Sequence, residues 1–294
     1  MRILLTGGTG QLGTALRCTL TAVGEVSVPS RGELDLAWAH ALIRAVRDAQ
    51  PDLIVNAAAY TAVDQTESEL ALAVQINGDA PRIFALEAKR LNIPVVHYST
   101  DYVFDGAKNT SYIEDDVTAL LNVYGCTKLA GEQGVLASGA AHLIFRTSWL
   151  YVSHGRNFLL TMRRLGRDGK EIKVVDDQHG APAFALQVAE ATATVITRSI
   201  VKGTVDMDRF RAITGLYHLS AAGHTTRYGF AQAILAGTDA IGRLASVTTD
   251  EFKAPAPRPL NSVLDNSKFE RRFGFRLPDW EIGLARCLDE IGRT

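Results

Sequence analysis

The chain has 294 residues, 47% of them hydrophobic and 21% charged, and its 31 Lys+Arg against 32 Asp+Glu leave a formal net charge of −1. At roughly 150 residues per domain, that length makes two units, or one α/β unit with an appended lobe, and is ample for a large core. The charge balance, with no Lys/Arg block, excludes a nucleic-acid binder held by phosphate neutralisation, so the expected partner is a small molecule.

In chain order, short apolar runs of strand character at 3–6, 26–29, 53–56, 95–99 and 143–147 alternate with helical patterns at 12–22, 36–49, 69–91 and 123–136. The helices carry apolar residues at three- and four-residue spacing, and the strands are near-continuous apolar runs, as a parallel sheet covered on both faces requires. This order predicts an α/β, Rossmann-type, doubly wound parallel sheet. After Trp149 the pattern loosens around Gly155, Gly166, Gly169, Gly180 and Pro182. Helices at 183–197 and 228–235, a short strand at 217–219, a loop with Pro255, Pro257 and Pro259, and an amphipathic helix at 280–291 follow. Residues 1–150 therefore read as the dinucleotide-binding domain. Residues 151–294 read mainly as a smaller substrate-binding lobe over the carboxyl edge of the sheet, with some segments returning to the sheet.

Cys18, Cys126 and Cys287 are few, odd in number and without metal-ligand spacing, so a reducing compartment is expected. The opening MRILLTGGTG has too short an apolar stretch for a signal peptide, and no segment approaches the ~18 apolar residues of a membrane span. A soluble cytoplasmic protein is the expectation.

The first strand runs directly into Gly7-Gly8-Thr9-Gly10-Gln11-Leu12-Gly13 and then a helix. Gly7 permits the tight turn, Gly10 lets backbone approach a pyrophosphate, and Gly13 lets the helix pack closely on the strand. The free N–H groups at the helix start would hold the phosphates. At the end of the second strand, Ser30 and Arg31 stand where an acidic residue would bind a ribose 2′-hydroxyl, which favours NADP(H), with NADH as the alternative. Asp35 and Leu36 flank the adenine in this reading. Asn56-Ala57-Ala58-Ala59-Tyr60-Thr61 ends the third strand with small residues against which a flat cofactor ring can lie.

Tyr124 and Lys128 share one helix face at i, i+4 spacing. A phenol with a pKa near ~10 needs a neighbouring cation to exchange protons readily at neutral pH, and Lys128 is placed to serve. The fourth strand ends in Ser99-Thr100-Asp101, putting hydroxyls where open α/β sheets bind ligands; Thr100 would share a hydrogen bond with a substrate carbonyl.

Through GGTGQLG, NAAA, YSTDYVFDG and Tyr124-x-x-x-Lys128, the chain resembles the extended short-chain dehydrogenase/reductases. The nearer likeness, through VNAAAYTAVDQTE, LNVYGCTKLAGE, IFRTSW, DDQHGAP, GLYHL and Arg258-Pro-x-Asn-Ser, spans almost the whole sequence. It is to the branch that reduces the C4 ketone of dTDP-4-dehydro-L-rhamnose to dTDP-L-rhamnose. The resemblance implies Tyr124 as proton donor, Lys128 as its tuner and Thr100 as carbonyl orienter. It also implies Gly10, Gln11 and Leu12 at the pyrophosphate, Asp35 and Leu36 at the adenosine, and Ala59, Tyr60, Thr61 and Tyr98 along the rest of the cofactor. Thr100, Asp101 and Trp149 fall at substrate positions, with Trp149 as a stacker and Arg258 and Asn261 as partners for the dTDP diphosphate.

Some relatives hold Mg2+ between subunits through an acidic residue two positions past GQxG; here that position is Ala15, so no metal is expected and a monomer or weak homodimer is. Asp176-Asp177 and Glu114-Asp115-Asp116 read as solvated or capping carboxylates, His97 and His218 as satisfied core imidazoles, and Cys126 as a small buried filler. Two alternatives stay open: another nucleotide-sugar epimerase, dehydratase or reductase of the family, and a non-catalytic dinucleotide-binding regulatory subunit.

Overall fold

The structure is a computed structural model and describes residues 1–236, 238, 240 and 243–293. Six strands, β1 (Arg2–Thr6), β2 (Glu25–Ser27), β3 (Leu53–Asn56), β4 (Val95–Thr100), β5 (His142–Thr147) and β6 (Gly215–His218), form one sheet in the order β2-β1-β3-β4-β5-β6. All its pairings are parallel. Every residue of β3, β4 and β5 is buried, which explains their unbroken apolar runs, whereas the edge strand β2 alternates between exposed and partly buried. The order reverses between β1 and β3, so the crevice outside their carboxyl ends is the expected ligand site.

Period-two alternation divides the core into two layers. Ile3, Leu5, Val55, Val96 and Phe145 face one side, with Leu12 and Leu16 of α1 (Gln11–Leu20), while Leu4, Ile54, Val95 and Ile144 face the other. The second layer is closed by α2 (Ala39–Ala49), α3 (Ala80–Leu91) and Val135 of α4 (Val123–Ala137). The first layer continues without a break into residues after 150. Helix α5 (Ala185–Thr197) packs on α1, and Tyr151 contacts Phe230 and Phe184 with ring centroids 5.3 and 5.7 Å apart. No helix among the described residues is long and apolar enough to cross a membrane.

Two departures from the sequence expectation matter for the site. The single helix predicted over 69–91 is broken into Leu70–Ala73, a π-helical turn Val74–Asp79, and α3. Pro81 has no N–H to return to the carbonyl of Asn77, and the wider turn absorbs that lost bond. The Asn77 carbonyl lies against Gly131, where a Cβ would sit 2.2 Å from it. Cys126 is exposed rather than a buried filler, because α4 buries the side carrying Thr127, Lys128, Gly131, Glu132 and Val135.

Helix α4 is held rigidly. Asn122 accepts from Gly125 N (2.8 Å) as its N-cap and donates to Pro257 O (2.8 Å). Glu132 takes both Arg146 nitrogens of β5 at 2.9 and 2.8 Å, with the two side chains 1% and 4% exposed. Breaking such an enclosed pair by removing one partner costs about 3–5 kcal/mol.

Candidate active site

Gly7 leaves β1 with φ +73°, and a Cβ there would lie 2.6 Å from Ala58 Cα, so only glycine lets the turns after β1 and β3 meet. A Cβ on Gly13 would fall 1.9 Å from Gly7 O, so helix and loop touch backbone to backbone. Gly10 is the extended N-cap of α1, and no acidic side chain stands in that helix's first turn. Above these turns opens a cavity of about 460 Å³. It collects Gly7, Gly10, Gln11, Leu12, Arg31, Asp35, Leu36, Ala57, Ala58, Ala59, Tyr60, Thr61, Tyr98, Thr100, Asp101, Tyr124, Lys128 and Trp149. Gly13, Ser30, Arg258 and Asn261 are not in its wall.

At the end of the cavity lined by Asp35 and Leu36, Arg31 is exposed at the rim. Glu33 is turned back to accept from Ser30 N at 2.7 Å, a bond that lowers its pKa, so this carboxylate closes a turn. Asp35 accepts from Ala37 N (3.0 Å) ahead of α2, which delays that helix to Ala39 from the expected start at 36. Behind the cavity wall, the buried Asn77 of the π turn clamps the backbone of the wall residue Tyr60 from both sides, accepting from its N–H (2.8 Å) and donating to its carbonyl (3.0 Å). Sequence reasoning missed Asn77, because its role exists only once the helix is broken.

Tyr124 and Lys128 reach the cavity from the same face of α4. Burial pushes the Tyr124 phenol above its usual pKa, with Thr100 acting against this and Asp101 and Tyr102 adding to it. The Lys128 ammonium donates to Tyr98 O at 2.6 Å, and burial lowers its pKa from 10.5 to about 8 despite the opposing charge of Glu132. Thr100 donates to Asp101 Oδ1 (3.0 Å), and Ser148 donates to Asp101 Oδ2 (2.8 Å). Burial raises the Asp101 pKa, while the surrounding hydroxyls of Ser262, Ser148 and Thr100 and the charge of Arg227 oppose it.

Trp149 takes the left-handed backbone (φ +44°), uncommon for a bulky residue. Its indole lies so close on Gly180 that a Cβ there would be 2.4 Å from Cε2, and the Arg227 guanidinium stands 3.5 Å from the ring centroid. The indole surface expected to stack on substrate is thus partly occupied by protein. Arg258 pairs with Asp64 through two 3.0 Å contacts and donates to Ala256 O (2.8 Å). Asn261 spends its amide on Lys108 O (2.6 Å), Thr110 O (2.9 Å) and Val263 N (3.1 Å), so its polar atoms hold loops together. Asp177 accepts from Thr249, Asp176 from Thr226, and Asp116 from Lys108 and Ile113 N. His97 meets Asn56 through Nδ1 (3.2 Å) while its Nε2 has no partner, and burial holds its pKa well below the usual value.

A dinucleotide fits the residues present. Gln11 Oε1, Ser99 Oγ and Thr147 Oγ1 are buried polar atoms without partners, and all three residues line the cavity, two of them at strand ends. Such atoms call for an external partner.

The chain matches the family described as RmlD substrate binding domain over residues 1–293. It is 43% identical to the dTDP-4-dehydrorhamnose reductase of Burkholderia thailandensis, covering 99% of each chain. Among solved structures, the dTDP-4-dehydrorhamnose reductase of Clostridium acetobutylicum superposes with a TM-score of 0.91 at 34% identity, covering 99% of this chain and 100% of that one. The Bacillus anthracis reductase, solved in complex with NADP, gives 0.87 at 33% identity over 98% and 99%. Resembling that family from its first strand to its last helix, the chain belongs to the RmlD substrate binding domain family.

Proposed function

We infer that the chain is an NADP(H)-preferring reductase of the C4 ketone of dTDP-4-dehydro-L-rhamnose, forming dTDP-L-rhamnose. The observation that carries the reading is one cavity holding the glycine-rich loop at one end and Thr100, Tyr124 and Lys128 at the other. Gln11, Leu12 and the α1 N-terminus would hold the pyrophosphate, Arg31 the 2′-phosphate, Asp35 and Leu36 the adenosine, and Lys128 the nicotinamide ribose. Bound NADPH supplies the hydride. Tyr124, its pKa raised by burial, keeps its proton through neutral pH and delivers it to the developing O4 alkoxide, which Thr100 orients. Residues 151–294 contribute the sugar-nucleotide side. The reading includes a cytoplasmic enzyme, consistent with three unpaired cysteines, acting as a monomer or weak homodimer without a metal.

The purified protein is expected to oxidise NADPH, followed by absorbance, only when given a dTDP-4-keto-6-deoxysugar. Absence of that oxidation overturns the reading. Arg31→Ala should lower the ratio of kcat/KM for NADPH to that for NADH by about tenfold, the value of one charge-assisted bond. An unchanged ratio would make Arg31 a solvated loop charge.

A further inference from the structure

Arg227 begins the nine-residue helix Arg227–Leu235, and its guanidinium carbon stands over the Trp149 ring at 3.5 Å from the centroid, with Tyr102 and Asp101 also acting on it. Its neighbour Arg258 is paired with Asp64, and elsewhere in the fold Arg146 takes Glu132 and Arg286 takes Glu190. None of the ion pairs among the described residues includes Arg227. Asp101 acts on it, but that carboxylate is enclosed, is pushed toward its neutral form by burial, and already accepts from Thr100 and Ser148. Burial in turn disfavours the Arg227 charge, Tyr102 and Asp101 oppose that effect, and the positive Arg258 reinforces it.

Arg227 is half-buried and lies behind the cavity wall, and with no carboxylate paired to it among the described residues its planar fork of N–H donors can still take an external anion. Both of its cavity-lining neighbours, Asp101 and Trp149, stand at the β4–β5 end of the site. Strand β5 is three places from β1, so the anion cannot be a dinucleotide pyrophosphate resting on the Gly7–Gly13 loop. A planar guanidinium, backed by the positive end of a helix, suits a phosphate.

We propose that Arg227 is the cation of a diphosphate subsite, taking a phosphate oxygen of the nucleotide-sugar from its seat on Trp149 while Thr100 and Tyr124 hold the ketone end. The proposal rests on the reading of the chain as a dTDP-sugar reductase. Trp149 then serves as the platform that aims the guanidinium.

Isothermal titration of the full chain with dTDP, thymidine and NADPH tests it. Arg227→Gln should weaken dTDP binding by about 10–100-fold and leave thymidine and NADPH within twofold, and Arg227→Lys should recover most of the loss. In turnover, KM for the keto sugar should rise tenfold or more in Arg227→Gln while kcat moves less than threefold. Unchanged dTDP affinity overturns the proposal. So does an equal loss of thymidine and dTDP affinity, which would reduce Arg227 to a packing partner of Trp149. Failure of the unaltered protein to bind dTDP would instead overturn the reductase reading.

Discussion

Tyr124→Phe is expected to lower kcat for the keto sugar by about 10²–10⁴-fold while the NADPH dissociation constant stays within about threefold. The substitution removes one oxygen and keeps the ring that meets Tyr102 edge-on at 5.9 Å, so the loss reports the proton and not the packing. Rapid-quench turnover and a separate NADPH titration measure the two quantities. A fall of less than tenfold would assign the proton to another donor, with the Thr100 hydroxyl first in line because it acts directly on the phenol.

Lys128→Met should abolish most activity and yet stabilise the cofactor-free protein. Lys128 is 2% exposed, and its pKa of about 8 lies below the usual 10.5. A lowered pKa means that folding disfavours the charged form. Below about pH 8 the protein therefore carries the whole cost, on the order of 3 kcal/mol. Between about 8 and 10.5 the unfolded chain binds more protons, so stability from this group rises with pH across that window. Losing the bond to Tyr98 O offsets part of the gain, leaving about 1–2 kcal/mol at pH 7 and a Tm higher by roughly 2–6 °C. The gain should fade as pH approaches 10.5. A lower Tm at pH 7 would show that the Tyr98 carbonyl and Glu132 stabilise the ammonium more than burial costs it. In the same window, wild-type kcat/KM for reduction should fall as pH rises through about 8, because the charge beside the cofactor site is lost.

Both effects trace to residues that local spacing already marked. Gly7 and Gly13 were legible because the turn and the helix–loop contact tolerate no Cβ, and Tyr124 and Lys128 because i, i+4 spacing needs nothing beyond a helix. The buried strands were legible because a parallel sheet covered on both faces demands unbroken apolar runs. Lys128 also shows where local reading stops. Spacing put it near the phenol, but its ammonium is held by the Tyr98 carbonyl, a partner 30 positions away.

Other parts of the site depend on contacts between distant segments. Asn77 clamps Tyr60 only because Pro81 forces a wider turn. Arg227 and Trp149 are 78 positions apart in the chain and meet because residues 179–180 pair with 225–226 beneath the indole. Asn261 meets three backbone groups, and those of Lys108 and Thr110 lie more than 150 positions away. By itself, the sequence determined the class of fold, the glycine-rich loop after the first strand and the shared helix face of Tyr124 and Lys128, since each is set by repeats and spacings within a few residues. Only the tertiary structure decided which charges stay unpaired and which polar groups are already satisfied, because burial and pairing belong to contacts that no local window contains.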